Sequence, residues 1–217
     1  DINEKVVGLF SENNFLGIPC DITSKESVEN ALQQGVYRFG GIDVVVSNAG
    51  SFPKSSELEK TSSESWMRSM DLNLNSHFEL LNETIPYLKE GFDPSILLVG
   101  SKNVPAPGPG AGQYSVPKAG LTQMGRVAAM ELGKYGIRVN VVHPNAVFDT
   151  GIWTTEVLEK RASAYNMSVE EYKKNNILKK EISSTNVAEI IGLLCSESFN
   201  TLTGHQLPID GGNDRVL

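Results

Sequence analysis

Five short runs, FLGIPC (15–20), IDVVVSN (42–48), SILLVGS (95–101), IRVNVVHP (137–144) and HQLPID (205–210), are apolar almost without a break. A strand with one wet face alternates apolar and polar residues, so runs like these must be covered on both faces. Around them lie stretches of helical spacing at about 3–13, 24–38, 63–89, 112–135 and 186–195. Ser24, Ser62 or Ser63, and Ser184 or Thr185 are placed to cap helix starts. Strand and helix in alternation predict right-handed crossovers. The fold class is therefore α/β, a doubly wound parallel sheet with helices on both faces. Region 151–180, GIWTTEVLEKRASAYNMSVEEYKKNNILKK, breaks the rhythm with two short helical patterns and no strand. With no repeat, low-complexity tract or linker, residues 1–217 read as a single domain.

Charge narrows the partners. Net charge is −7 with no block of Lys or Arg, which argues against nucleic acid and against an anionic membrane surface. No apolar stretch is long enough for a membrane span. Cys20 and Cys195 follow neither metal-ligand nor disulfide spacing, as expected of a reducing, cytoplasmic setting. His77, His143 and His205 are scattered, so no metal site is expected.

In parallel α/β sheets ligands sit beyond the carboxyl ends of the strands. Here those ends carry Asp21, SNAG (47–50), GSKN (100–103), HPNAV (143–147) and DGG (210–212), all small, polar or turn-forming. One of the helices that follow opens with QYSVPKAG (113–120), where Tyr114 and Lys118 share a face at i, i+4. A nearby ammonium favours a phenolate, and such a tyrosine could exchange a proton with an alcohol or carbonyl. Alone, the pair is weak and reads as ordinary surface. Ser101 ends the preceding strand, and the Gly/Pro-rich loop KNVPAPGPGAGQ can fold it back beside the helix start. Asn73 is a polar residue on an otherwise packed helix.

With these residues in register, the chain resembles the short-chain dehydrogenase/reductase family from Asp1 onward. SNAG is similar to its Asn-Ala-Gly turn, and Asn73, Ser101, Tyr114 and Lys118 to its catalytic tetrad in order and spacing. DIT (21–23) resembles its adenine-contacting turn, HPNAVFDT its Pro-Gly motif with a following threonine, and DGG its closing turn. The resemblance implies a Rossmann-like fold and an NAD-dependent oxidoreductase. Tyr114 would be the acid/base and Lys118 its partner and ribose ligand. Ser101 would hold the substrate oxygen, and Asn73 a proton-relaying water. Asp1, Asp21, Ile22, Asn48, Ala49, Gly50, Pro144, Asn145, Val147 and Thr150 would line the cofactor, together with Tyr114 and Lys118. Asn103 and Trp153 would face a small-molecule substrate, with 151–180 covering it; Tyr165 is a further wall candidate, and packing explains both aromatics equally well. A homodimer or homotetramer paired through the two long helices is also implied.

Two departures sharpen the reading. The family's glycine-rich turn after its first strand is missing, and GPGAG (108–112) sits where it reads as loop. Asp1 matches the acidic end of the family's second strand, so the first two strands are expected to be absent. An incomplete version of an active enzyme and a shortened, non-catalytic remnant kept for association both fit. An acidic residue at Asp1 would repel a 2′-phosphate, favouring NAD over NADP. Asn145 in place of glycine, with AVFDTGIW, SKN and ILKKEIS, is similar to the dehydrogenase half of bifunctional rhamnulose-1-phosphate aldolase/lactaldehyde (alcohol) dehydrogenases. That implies a small hydroxy-aldehyde such as lactaldehyde and a place in rhamnose metabolism. A Ser101–His143–Asp149 triad is rejected because no nucleophile elbow precedes a helix. YKKNNILKK reads as a solvated face.

Overall fold

The structure is a computed structural model that describes residues 1–213. Four parallel strands form one sheet in the order β1-β2-β3-β4: β1 Val44–Ser47, β2 Ser95–Val99, β3 Arg138–Pro144 and β4 Gln206–Ile209. The helices are α1 Lys25–Phe39, α2 Ser63–Met70, α3 Ser76–Leu88, α4 Gly112–Leu132, α5 Thr155–Ala164, α6 Val169–Lys173 and α7 Ser184–Cys195.

Alternation along the two central strands explains why both carry apolar residues on each face, with Arg138, Asn140 and His143 as buried polar exceptions in β3. Ile96, Leu98, Val139 and Val141 point to one face and pack with Leu81, Leu88, Leu121 and Leu132 of α3 and α4. Leu97, Val99 and Val142 point to the other, against Val187 and Leu194 of α7. All five residues of β2 are buried. Burying a Leu or Val side chain is worth about 1.5–3 kcal/mol, so this two-sided covering fixes the register.

The first twenty residues depart from expectation. FLGIPC lies outside the sheet and forms no ladder. Its hydrogen bonding runs instead to the start of the chain, with Cys20 N donating to Asp1 O at 2.9 Å. The expected helix at 3–13 reduces to a 3₁₀ turn, Glu4–Gly8, with no buried residue. Val7, Leu9 and Phe10 are exposed, so the apolar spacing has no surface to bury against and packing does not sustain a helix. The last long helix is capped by Ser183 through a capping box, ahead of the expected Ser184 or Thr185. Asp149 explains the shift: its carboxylate accepts from Ser184 N at 2.9 and 3.1 Å and from Ser184 Oγ at 2.7 Å. That carboxylate serves a helix start, well away from any triad role.

Candidate active site

The expected helix over 63–89 is not continuous, because Asp71–Asn75 winds as a π-helical turn between α2 and α3. A π turn bulges the backbone and re-aims the side chain it carries. That side chain is Asn73, 1% exposed. Its Oδ1 accepts from Ser51 N at 3.1 Å, while Nδ2 donates to Ser51 O at 3.1 Å and Ser69 Oγ at 3.0 Å. Ser69 Oγ donates onward to the carbonyl of Gln113. The Gln113 side chain accepts from Ser65 Oγ at 2.7 Å and donates to Lys54 O at 2.9 Å. Asn73 is thus clamped between the segment after β1 and the first turn of α4.

That first turn carries Tyr114 and Lys118. Lys118 is 2% exposed, and its Nζ donates to Val99 O at 2.8 Å, at the end of β2. A Cβ built on Gly50 would lie 3.0 Å from Asn73 Oδ1 and 3.5 Å from Lys118 Nζ. The Asn48-Ala49-Gly50 turn therefore runs against both side chains, and glycine permits the approach. Beyond β2, Ser101 Oγ accepts from Asn103 N at 3.2 Å, and the Ser101 side chain partners the Tyr114 phenol. Phe52 packs on the Tyr114 ring with centroids 4.8 Å apart. Asn73, Ser101, Tyr114 and Lys118 converge beside the Gly50 turn.

The electrostatics differ from the sequence expectation. Burial pushes the Tyr114 phenol above its usual range, with Ser101 pulling the other way. Lys118 Nζ stands 6.0 Å from the ring centroid, and its own burial lowers its pKa to about 8. The packing desolvates both groups more than it lets one stabilise the other's charge.

His77, fully buried, is held by Ser47 Oγ at 2.6 Å from Nδ1. Burial first, then the charge of Lys118, lower its pKa to about 4, opposed by the Ala49 backbone. An unfolded chain then binds more protons than the native one between about 4 and the ordinary value of 6.5, so stability falls as pH drops through that window. From pH 6.5 to about pH 5 the wild type should lose about 1.5 kcal/mol more than His77→Gln. Urea unfolding across that range measures it; parallel curves for the two proteins would refute the assignment.

The remaining candidates form separate groups. Asp1 and Asp21 lie near each other through the Cys20–Asp1 backbone bond. Asp1 Oδ1 accepts from Asn3 N at 2.8 Å, and Asp21 Oδ1 from Thr23 N at 2.9 Å and Thr23 Oγ1 at 2.7 Å. The Thr23 bonds hold the Asp21 carboxyl below its usual range. Half-buried Ile22 follows, and Asp21 borders a cleft of about 690 Å³ shared with Ile2, Arg68 and Asp71. After Pro144, Asn145 N donates to Ile209 O at 3.2 Å. Ala146 then takes φ +47°, a left-handed conformation costly for a non-glycine residue and frequent at functional sites. Thr150 Oγ1 donates to Val147 O at 2.8 Å, closing the turn.

Trp153 packs on Phe148 at 4.8 Å and Tyr172 at 6.2 Å, and Tyr165 on Tyr172 at 5.7 Å. Trp153 is half-buried in this aromatic group, and Tyr165 is exposed beside it. Sequence reasoning missed Phe52, Ser69 and Gln113. Only Ser69, one helical turn before Asn73, left a local signal.

A family model described as enoyl-(acyl carrier protein) reductase matches residues 3–214. The oxidoreductase YuxG of Bacillus subtilis is 34% identical over 94% of the chain, which spans 30% of that relative's length. The oxidoreductase MT2820 of Mycobacterium tuberculosis is 30% identical over 88% of the chain and 70% of its own. A 3-ketoacyl-(acyl-carrier-protein) reductase from Brucella melitensis, solved with NADH, superposes with a TM-score of 0.80 at 26% identity. That match covers 91% of this chain and 77% of that one. A parallel sheet covered on both faces and a match over nearly the whole chain agree: the chain belongs to the short-chain dehydrogenase/reductase family of oxidoreductases.

Proposed function

We propose that the chain is an NAD-linked oxidoreductase acting between a small alcohol or hydroxy-aldehyde and its carbonyl counterpart. The observation that carries this reading is the meeting of Asn73, Ser101, Tyr114 and Lys118 beside Gly50. The donor set suits a nicotinamide riboside. An ammonium has three N–H donors, and Val99 O takes one from the buried Lys118 Nζ, which leaves others for ribose hydroxyls. When bound, the nicotinamide supplies or accepts the hydride.

The protein's own groups handle the proton. Tyr114 Oη gives a proton to the substrate oxygen in reduction and takes it back in oxidation. The raised phenol pKa keeps that proton in place through neutral pH, which suits the reductive direction. Ser101, its Oγ oriented by Asn103 N–H, donates its own hydroxyl hydrogen to the substrate oxygen and steadies charge developing there. Asn73 holds the Ser51 peptide, and Lys118 the nicotinamide ribose. Asn48, Ala49, Pro144, Asn145, Val147 and Thr150 border the cofactor in this reading, with Asp1, Asp21 and Ile22 toward its adenosine end.

Acidic side chains at Asp1 and Asp21 support NAD over NADP by repelling a 2′-phosphate. Lactaldehyde is the finer substrate assignment, supported by Asn145 and the run AVFDTGIW. Exposed Met67, Phe78, Val127 and Met130 on α2, α3 and α4 support a homodimer or homotetramer. Titration of the chain with NADH, followed by cofactor fluorescence, tests the reading. Micromolar binding, weaker for NADPH, together with lactaldehyde-dependent absorbance change, is expected. Failure to bind either nucleotide would favour a remnant kept for association.

A further inference from the structure

His143, at the end of β3, is 2% exposed, and its ring lies against the backbone of Ser101. Nδ1 is within reach of both polar groups of that residue: Ser101 O at 2.9 Å and Ser101 N at 3.1 Å. A neutral imidazole can use only one of them. With hydrogen on Nδ1 it donates to the carbonyl; with hydrogen on Nε2, Nδ1 accepts from the amide. What Nε2 meets decides between the two. It faces the Gln206 carboxamide of β4 at 3.2 Å. The other end of that carboxamide lies 2.7 Å from both Nε and Nη2 of Arg126, an exposed residue of α4. Two guanidinium donors require an oxygen there, and charge-assisted bonds of this kind are roughly twice as strong as neutral ones. The Gln206 amide nitrogen therefore points at His143 Nε2, which must accept.

We infer that Arg126, acting through Gln206, fixes His143 as its Nδ1–H tautomer, so that the ring donates to the Ser101 carbonyl and positions that residue's hydroxyl. The three are positioning residues: none touches substrate, and their effect on turnover rests on the role proposed above for Ser101. Gly100 fits the arrangement, since a Cβ there would lie 2.8 Å from His143 Nδ1 and Cε1. The ring therefore lies in close contact with the peptide that leads into Ser101.

Arg126→Met keeps the aliphatic stem but frees the carboxamide to turn its oxygen toward Nε2. Arg126→Lys keeps a donor for that oxygen. Long-range nitrogen–proton correlation spectra of the His143 ring, with Ser101 amide exchange, read the tautomer without any turnover. The expected result is Nδ1–H in wild type and Arg126→Lys, and Nε2–H in Arg126→Met with slower Ser101 amide exchange. In the same Met variant kcat should fall about tenfold with KM little changed, the low end for a partner that orients a working group. An Nε2–H ring in wild type, or no change of tautomer in Arg126→Met, would overturn the inference. A changed tautomer with unchanged kcat would overturn the positioning role. Should wild type turn over no substrate, the proposed function falls, and the ring spectra still decide the tautomer.

Discussion

Tyr114→Phe should lower kcat about 10²–10⁴-fold, the usual contribution of a positioned general acid or base. Its urea midpoint should stay where the wild type's is. The two halves of this result come from different parts of one side chain. The ring is held by Phe52 at 4.8 Å, and phenylalanine keeps that contact. The hydroxyl has the Ser101 side chain as partner, so its loss removes the proton carrier and little packing. Burial holds the phenol protonated, so loss of the reductive rate at alkaline pH should set in above the ordinary tyrosine range in the free enzyme. Steady-state kinetics with saturating cofactor, alongside unfolding curves, separate a chemical defect from a structural one. Turnover within a few-fold of wild type would remove Tyr114 from the mechanism.

What could be read from the sequence follows how local each determinant is. β2 and β3 were legible because covering on both faces fills them with Ile, Leu and Val, even though β3 also buries Arg138, Asn140 and His143. The Tyr114–Lys118 spacing, the Ser101 strand end and Asn73 were legible only together, through the family resemblance that their order and spacing carry. The first twenty residues misled because FLGIPC carries a strand's composition without a neighbouring strand to pair with. Sheet membership is a tertiary property that composition only permits. Asn73 needed a π turn, which nothing in DLNLN announces. Long-range partners were illegible altogether: Gln113 with Ser65, His143 with Ser101, and Arg126 with Gln206 join residues far apart in the chain. The phenol's raised pKa was misjudged likewise, because it depends on how deeply the fold buries a pair that the sequence merely spaces.

Lys102→Met should be the most destabilising single change near the site. Lys102 directly follows Ser101, and its Nζ lies 2.7 Å from Asp210 Oδ2, with the two side chains only 8% and 4% exposed. Nζ also donates to Asn213 O at 3.0 Å, and Asp210 Oδ1 accepts from Gly212 N at 2.9 Å. Removing the ammonium leaves a buried carboxylate without its counter-charge, which costs about 3–5 kcal/mol. Replacing both members, Lys102→Met with Asp210→Asn, removes the stranded charge and should recover much of that loss. The turn does more than carry a charge. Gly211 O and Gly212 O each accept at 3.1 Å from Leu178 N and Ile177 N, so the end of the 151–180 region hangs on the turn that Lys102 anchors. Loosening the pair should therefore disturb both the Ser101 loop and that region, and turnover should fall before global unfolding. Urea unfolding of the two single variants and the double variant measures the coupling. A loss below about 1 kcal/mol for Lys102→Met, the value of a solvent-exposed pair, would show that water reaches the ions and that the turn holds by its backbone bonds alone.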